Sequence, residues 1–202
     1  PGDAITSELL RFMAEDSAKE ARMAAISTVA PSKQSIRAIM LRVRDSCVEV
    51  RLHALGVLRD TVEMKWLSVS QRVHLLESAL LDRTASVSAA CADMLAGGWL
   101  RKGCDNDVLA LLRALDAVAP ERVADERATH ARVAQLTLDV LLSRDDATRA
   151  LVATAAHKHW NDEGHERQPE SAACLRAHLD YLAKVKSQAL AEAAPELPAV
   201  CE

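Results

Sequence analysis

The sequence predicts an all-α chain folded as a solenoid of stacked helical hairpins, and three observations carry that expectation. Half of the 202 residues are hydrophobic, but only 2% are aromatic (Phe12, Trp66, Trp99, Trp160, Tyr181), with six Gly and six Pro. Burial therefore falls to Ala, Leu and Val, the palette of closely packed helices. A motif also recurs: Asp16-Ser-Ala-Lys-Glu-Ala21-Arg22 aligns with Asp45-Ser-Cys-Val-Glu-Val50-Arg51, 29 residues on. A third copy, Asp82-Arg-Thr-Ala-Ser-Val87-Ser88, follows 37 residues later and carries Ser88 where arginine is expected. Finally, the helix that follows each motif is apolar nearly all round. At about 100° per residue, Val48, Val50, Leu52, Ala54, Leu55, Val57 and Leu58 leave only the sector of His53 and Gly56 uncovered. A helix of that kind is sandwiched between neighbours.

The elements follow in order. Hairpins are expected near 4–30, 33–62 and 68–97, then a helix at 105–117, and these make up a first region, 1–117. In the second hairpin Ile36, Ile39, Met40 and Val43 follow the i, i+3, i+4, i+7 spacing of one helix face. Small residues such as Gly56, Ala89, Ala90 and Ala92 permit close approach between helices. The second region, 118–202, continues the solenoid with helices near 121–143 and 145–159. A polar linker at 161–169 precedes a last helix at 170–193. The chain does not begin with Met and has no evident polar capping repeat, so it reads as a piece of a longer array.

No apolar run reaches the roughly 18–20 residues of a membrane span and no signal peptide is evident, so a soluble, intracellular chain is expected with no membrane contact. The five cysteines (Cys47, Cys91, Cys104, Cys174, Cys201) show no Cys-x-x-Cys spacing and read as reduced thiols. His157, His159 and His165 beside Asp162 and Glu163 resemble a metal site in composition only, and no metal or cofactor is expected. No Gly-rich phosphate loop, Ser/His/Asp pattern or Cys/His pattern is present, so the chain is expected to be no enzyme, with no catalytic residues and no small-molecule substrate. The net charge of −4 hides a division: residues 19–102 carry 13 Lys and Arg against 8 Asp and Glu, between acidic flanks.

The repeated Asp and Arg have a structural reading. An aspartate at the turn can cap the second helix, and an arginine six residues later can bridge to the neighbouring repeat's aspartate. Asp16, Arg22, Asp45, Arg51 and Asp82 form this signature, with direct ligand contact as the alternative, and alone they say only that these are HEAT repeats. The middle of the chain is more specific. Leu67-Ser-Val-Ser-Gln71-Arg72-Val-His-Leu75-Leu76 runs through Asp82-Arg83-Thr and Val87 to Gly98-Trp99-Leu100-Arg101, then Asn106-Asp-Val108 to Leu115-Asp116. This run resembles the HEAT-repeat G subunit of condensin, also called condensin subunit 3. Val29-Ala-Pro31-Ser32, Arg42-Val-Arg44-Asp45 and Pro169-Glu170-Ser171-Ala172 with Leu179-Asp-Tyr181-Leu182 stand in the expected order around it. The likeness covers most of 8–117 and 168–200. It departs at Ser88, across 121–167, and at Ala173, Cys174 and Leu175, where the family tends to have larger residues.

The resemblance implies a non-enzymatic subunit of the complex that shapes mitotic chromosomes, found in nucleus, cytoplasm and on mitotic chromosomes. It implies a partner, the kleisin (H) subunit, and through it the SMC ATPase subunits, together with double-stranded DNA bound without sequence preference. The alternative is a generic HEAT or armadillo adaptor that binds a peptide and no nucleic acid. Phosphate neutralisation needs Lys and Arg aligned on one surface. Measured from Ile36, Lys33, Arg37 and Arg44 project at about 60°, 100° and 80° and form one stripe, while Arg42 points away. These three, joined by Arg72, Arg101 and Lys102, are the candidate DNA-facing residues; a solvated helix face is the competing reading. Trp66 and Trp99 are expected at helix junctions, with partner contact as the alternative.

Overall fold

What starts and stops each helix is visible in its caps. In the computed structural model, which describes residues 4–117, 123–161 and 169–193, the first helix of the second hairpin, α3 (Lys33–Arg42), opens on a capping box. The Ser32 hydroxyl accepts the Ser35 N–H at 3.0 Å and the Ser35 hydroxyl accepts the Ser32 N–H at 2.7 Å. The first helix of the third hairpin, α5 (Val69–Leu80), opens the same way on Ser68 and Gln71. The second helices, α2 (Lys19–Thr28), α4 (Val48–Thr61) and α6 (Ala85–Asp93), have no side-chain N-cap bond. Instead an aspartate two residues back accepts the N–H of the residue that precedes the helix: Asp16 from Ala18, Asp45 from Cys47, Asp82 from Thr84, at 2.8–2.9 Å. The aspartate thus folds the turn, one step earlier than a cap on the helix's own first turn.

With α1 (Ala4–Glu15), these helices make the antiparallel pairs α1/α2, α3/α4 and α5/α6. The second helices stack on one another, α2 on α4 and α4 on α6, and α1 packs on α3. The burial follows from that arrangement. Val50, Ala54, Leu55 and Leu58 of α4 are all at most 2% exposed, since α4 has neighbours on three sides. No strand occurs among the described residues.

The third pair's second helix runs beyond residue 97. From Met94 to Gly103 it widens into π-helical turns. The cause is legible in the side chains. Met94 and Trp99, and Leu95 and Leu100, are pairs five residues apart and all are buried; the five-residue turn stacks them inward and leaves Arg101 and Lys102 outward. Cys104 and Asn106 donate N–H groups to the Leu100 carbonyl, and Asp105 and Asn106 adopt φ of 51° and 61°, a region Asp and Asn tolerate, to close the segment.

A short helix, α7 (Val108–Ala114), is capped by Asp107, which accepts the Leu109 and Ala110 N–H groups at 2.8 and 3.2 Å. Next come α8 (Ala124–Arg144), α9 (Asp146–Asn161) and α10 (Pro169–Ala193). α8 packs on α5 and α9, and α10 on α7, α8 and α9. The His130 ring Nδ1 lies 2.9 Å from the Leu115 carbonyl, Arg144 pairs with Asp93 at 2.7 Å, and Arg132 pairs with Glu77. On α10, Leu179, Leu182 and Val185 stand exposed in a row. The expected polar linker lies almost wholly outside the described residues, as do Cys201, the side chains of His159 and Trp160, and His165. Among the described residues no helix is long and apolar enough to cross a membrane, and no cluster of His, Cys, Asp and Glu could hold a metal.

Candidate nucleic-acid interface

The repeated arginines and aspartates form a ladder between hairpins. Arg22 of α2 reaches the next hairpin's Asp45 through two hydrogen bonds, 3.0 and 2.8 Å, and its remaining nitrogen donates to the Asp16 and Ser17 carbonyls of its own turn. Arg51 of α4 repeats the pattern. It donates to the Asp45 and Ser46 carbonyls behind it, and ahead to Asp82 Oδ1 and the Thr84 hydroxyl, both at 3.1 Å. Its Nε sits 2.8 Å from Asp82 Oδ2 but off the hydrogen-bonding direction. The ladder stops at Ser88, whose hydroxyl turns back to the Ala85 carbonyl.

These ion pairs are buried, with side chains of Asp45 3%, Arg51 4%, and Arg22 and Asp82 10% exposed. Burial alone would push the Asp45 carboxyl up; the Arg22 guanidinium, the Cys47 N–H and Arg42 outweigh it and hold it below the usual carboxylate range. Asp82 is likewise pushed up by burial, and held down on balance by the Thr84 N–H and Arg51. Two lighter rungs run parallel: Lys19 to Glu49 at 2.6 Å and the Ser27 hydroxyl to His53 at 2.6 Å.

The ladder decides which cations of the basic stretch are left over. Between residues 19 and 102, Lys19, Arg22, Arg42, Arg51, Arg59 and Lys65 are ion-paired. Arg72 is spent on backbone: it donates to the Met64 carbonyl at 3.0 Å and to the Ala114 carbonyl at 2.7 Å, and burial lowers its pKa. Of the candidate DNA-facing residues, Arg72 is thus the one held by two backbone carbonyls. Its guanidinium is half-buried and braces the turn before α5 against the end of α7.

Lys33, Arg37, Arg44, Arg83, Arg101 and Lys102 remain, all exposed, with no hydrogen bond or ion pair among the described residues. Lys33 and Arg37 lie one turn apart on α3. Arg44 lies just past the end of that helix, in the turn before α4, where its N–H bonds the Leu41 carbonyl at 3.3 Å. It lines a cleft of about 330 Å³ with Ser46, Ser78 and Arg83, whose floor holds Asp45, Arg51 and Asp82. Sequence reasoning passed over Arg83; its position directly after the turn aspartate, matching Ser46 of the previous repeat, was the available signal.

Arg101 and Lys102 lie at the opposite edge of the hairpins. Lys102 borders a cleft of about 520 Å³ between the end of α4 and the π-helical segment, with Arg59, Lys65, Gly98 and both tryptophans. Trp99 is buried there at 3% and Trp66 is half exposed at 50%.

Such an array, whose hairpins are joined by buried Arg–Asp pairs and which carries unpaired cations on its rim, is a HEAT-type α-solenoid. No family model matches the chain. It is 38% identical over 109 residues to human condensin complex subunit 3, covering 54% of this chain and 11% of that protein. The Xenopus laevis condensin complex subunit 3 is 34% identical over 116 residues, covering 57% and 11%. The crystal structure of the S. pombe condensin Cnd3–Cnd2 subcomplex superposes with a TM-score of 0.77 at 25% identity, over 97% of this chain and 25% of that one. The chain is thus similar to condensin complex subunit 3 in sequence, and to the helical array of a condensin subcomplex in fold. It spans about a tenth of the length of the curated relatives it matches.

Proposed function

We propose that this segment is a non-catalytic scaffold of condensin which binds the kleisin subunit and double-stranded DNA without sequence preference, in mitotic chromosome condensation. Regions 1–117 and 118–202 act as one continuous solenoid on chromosomes in the nucleus, linked through the kleisin to the SMC ATPase subunits. The observation that carries the DNA reading is the set of exposed cations left unpaired among the described residues: Lys33, Arg37, Arg44, Arg83, Arg101 and Lys102. Unpaired surface cations neutralise phosphates without desolvating an existing ion pair, and they read no base edges, which fits binding without sequence preference. The likeness to a two-subunit condensin subcomplex supports the kleisin part.

The cleft beside half-exposed Trp66 favours a second reading, an adaptor that holds a peptide and no nucleic acid. One experiment separates the two. In the kleisin-bound complex, Lys33→Glu, Arg37→Glu and Arg44→Glu together are expected to weaken duplex affinity at least tenfold and to flatten its salt dependence. Unchanged affinity and salt slope contradict the assignment.

A further inference from the structure

The cleft between the second and third hairpins brings together groups that no single repeat supplies. Arg44 stands on the turn that enters α4, and Arg83 on the turn that enters α6. Both are exposed and without a hydrogen bond or ion pair among the described residues. The acids beneath them are already neutralised: Asp45 by Arg22 and Arg42, Asp82 by Arg51. The Ser46 and Ser78 hydroxyls also line the cleft, and neither adjoining helix has a side-chain cap on its N-terminus. Arg44 and Arg83 are therefore the exposed charges of the cleft; the carboxylates that line it, Asp45 and Asp82, are both paired, and the Ser46 hydroxyl reaches Asp45 at 3.5 Å. Turns of adjacent hairpins lie roughly 10 Å apart, the spacing of packed helices, so two arginine side chains span the gap to one oxyanion or to two consecutive ones.

We propose that Arg44 and Arg83, with the Ser46 and Ser78 hydroxyls, form a phosphodiester-binding site that seats the backbone of duplex DNA across the junction of the second and third hairpins. The inference rests on the duplex-binding reading above, and it moves Arg44 from the α3 stripe to a site shared with Arg83. A singly charged, repeating diester suits this cleft better than a phosphorylated peptide side chain. The cleft is shallow, has no fully buried unpaired cation to stabilise a dianion, and offers its two arginines along the stacking direction of the hairpins.

The test compares the chain with Arg44→Ala, Arg83→Ala and the double variant, using a 20-base-pair duplex over a range of salt, with Lys33→Ala/Arg37→Ala as a reference. The site predicts at least a fivefold loss of affinity for the double variant, and a log–log salt slope shallower by about 0.9 for each phosphate released. If the reference variant weakens binding while Arg44→Ala/Arg83→Ala leaves affinity and slope unchanged, this site is wrong and the duplex reading stands. If the unmodified chain binds no duplex, both fall; if the cleft binds a phosphoserine peptide and no duplex, this site is wrong. The two arginines are exposed and outside the ladder, so each variant is expected to keep the parent's unfolding midpoint, which is measured alongside.

Discussion

Asp45 takes part in more interactions than its neighbours in the ladder. It accepts two hydrogen bonds from Arg22, one from the Cys47 N–H and one from Arg42, with its side chain almost wholly buried. Removing one member of a buried pair leaves the other charge uncompensated, so Asp45→Asn is expected to cost about 3 kcal/mol in chemical unfolding. Among the described residues the Asp16 carboxylate makes no ion pair and is only half-buried, so Asp16→Asn loses a turn bond and is expected to cost about 1 kcal/mol. Equal losses at the two positions would contradict the ladder. The pH dependence follows from the same geometry. Asp45 and Asp82 titrate below their unfolded value of about 3.9, so their contribution is fully present above that value and drains away as pH falls through the folded one. Stability is expected to hold level above about pH 5 and fall below about pH 4, less steeply in Asp45→Asn/Asp82→Asn. Cys91 and Cys174, both buried and pushed up to about 12 chiefly by burial, are expected to resist alkylation at pH 8 until the chain unfolds, as mass spectrometry would show. The ladder's residues were legible in the sequence as a repeated Asp and Arg. That Asp45 also recruits Arg42 was not, because the helix ends at Arg42 and the chain turns back there.

At the scale of elements, the π-helical end of the third hairpin is where sequence periodicity failed. The sequence suggests an end near residue 97, and the helix runs on to Gly103. The buried pairs five residues apart show that the wider turn satisfies Trp99 and Leu100 instead. The glycines there are not required by the backbone. A methyl group at Gly97 or Gly98 meets nothing within 4 Å, and neither residue has positive φ. Gly97→Ala is therefore expected to raise stability by about 0.5–1 kcal/mol, read as a higher denaturant midpoint. A loss would show that the π-helical segment depends on glycine. The capped starts of α3 and α5 were easier to anticipate, since Ser-x-x-Ser and Ser-x-x-Gln before apolar runs carry their own mechanism.

For the whole molecule, stacking and charge are two sides of one arrangement. The solenoid is built by pairing aspartates with arginines across hairpins, and because the basic stretch has more cations than acids, the surplus ends on the rim. Composition predicted the stacking, and segment charge predicted the surplus. Neither could say which arginines the fold would consume: Arg72 is taken up by two carbonyls from segments far away in sequence, whereas Arg83 is left exposed. In the proposed function this surplus meets the phosphates of duplex DNA. The most direct measurement is the affinity of the chain, with and without a kleisin segment, for one duplex length in two unrelated sequences from 50 to 200 mM salt. Equal affinities for both sequences, a linear fall on log–log axes with a slope of about −3 to −5, and tighter binding with the kleisin present are expected. Affinity that does not change with salt, or that depends on the sequence of the duplex, would contradict that function.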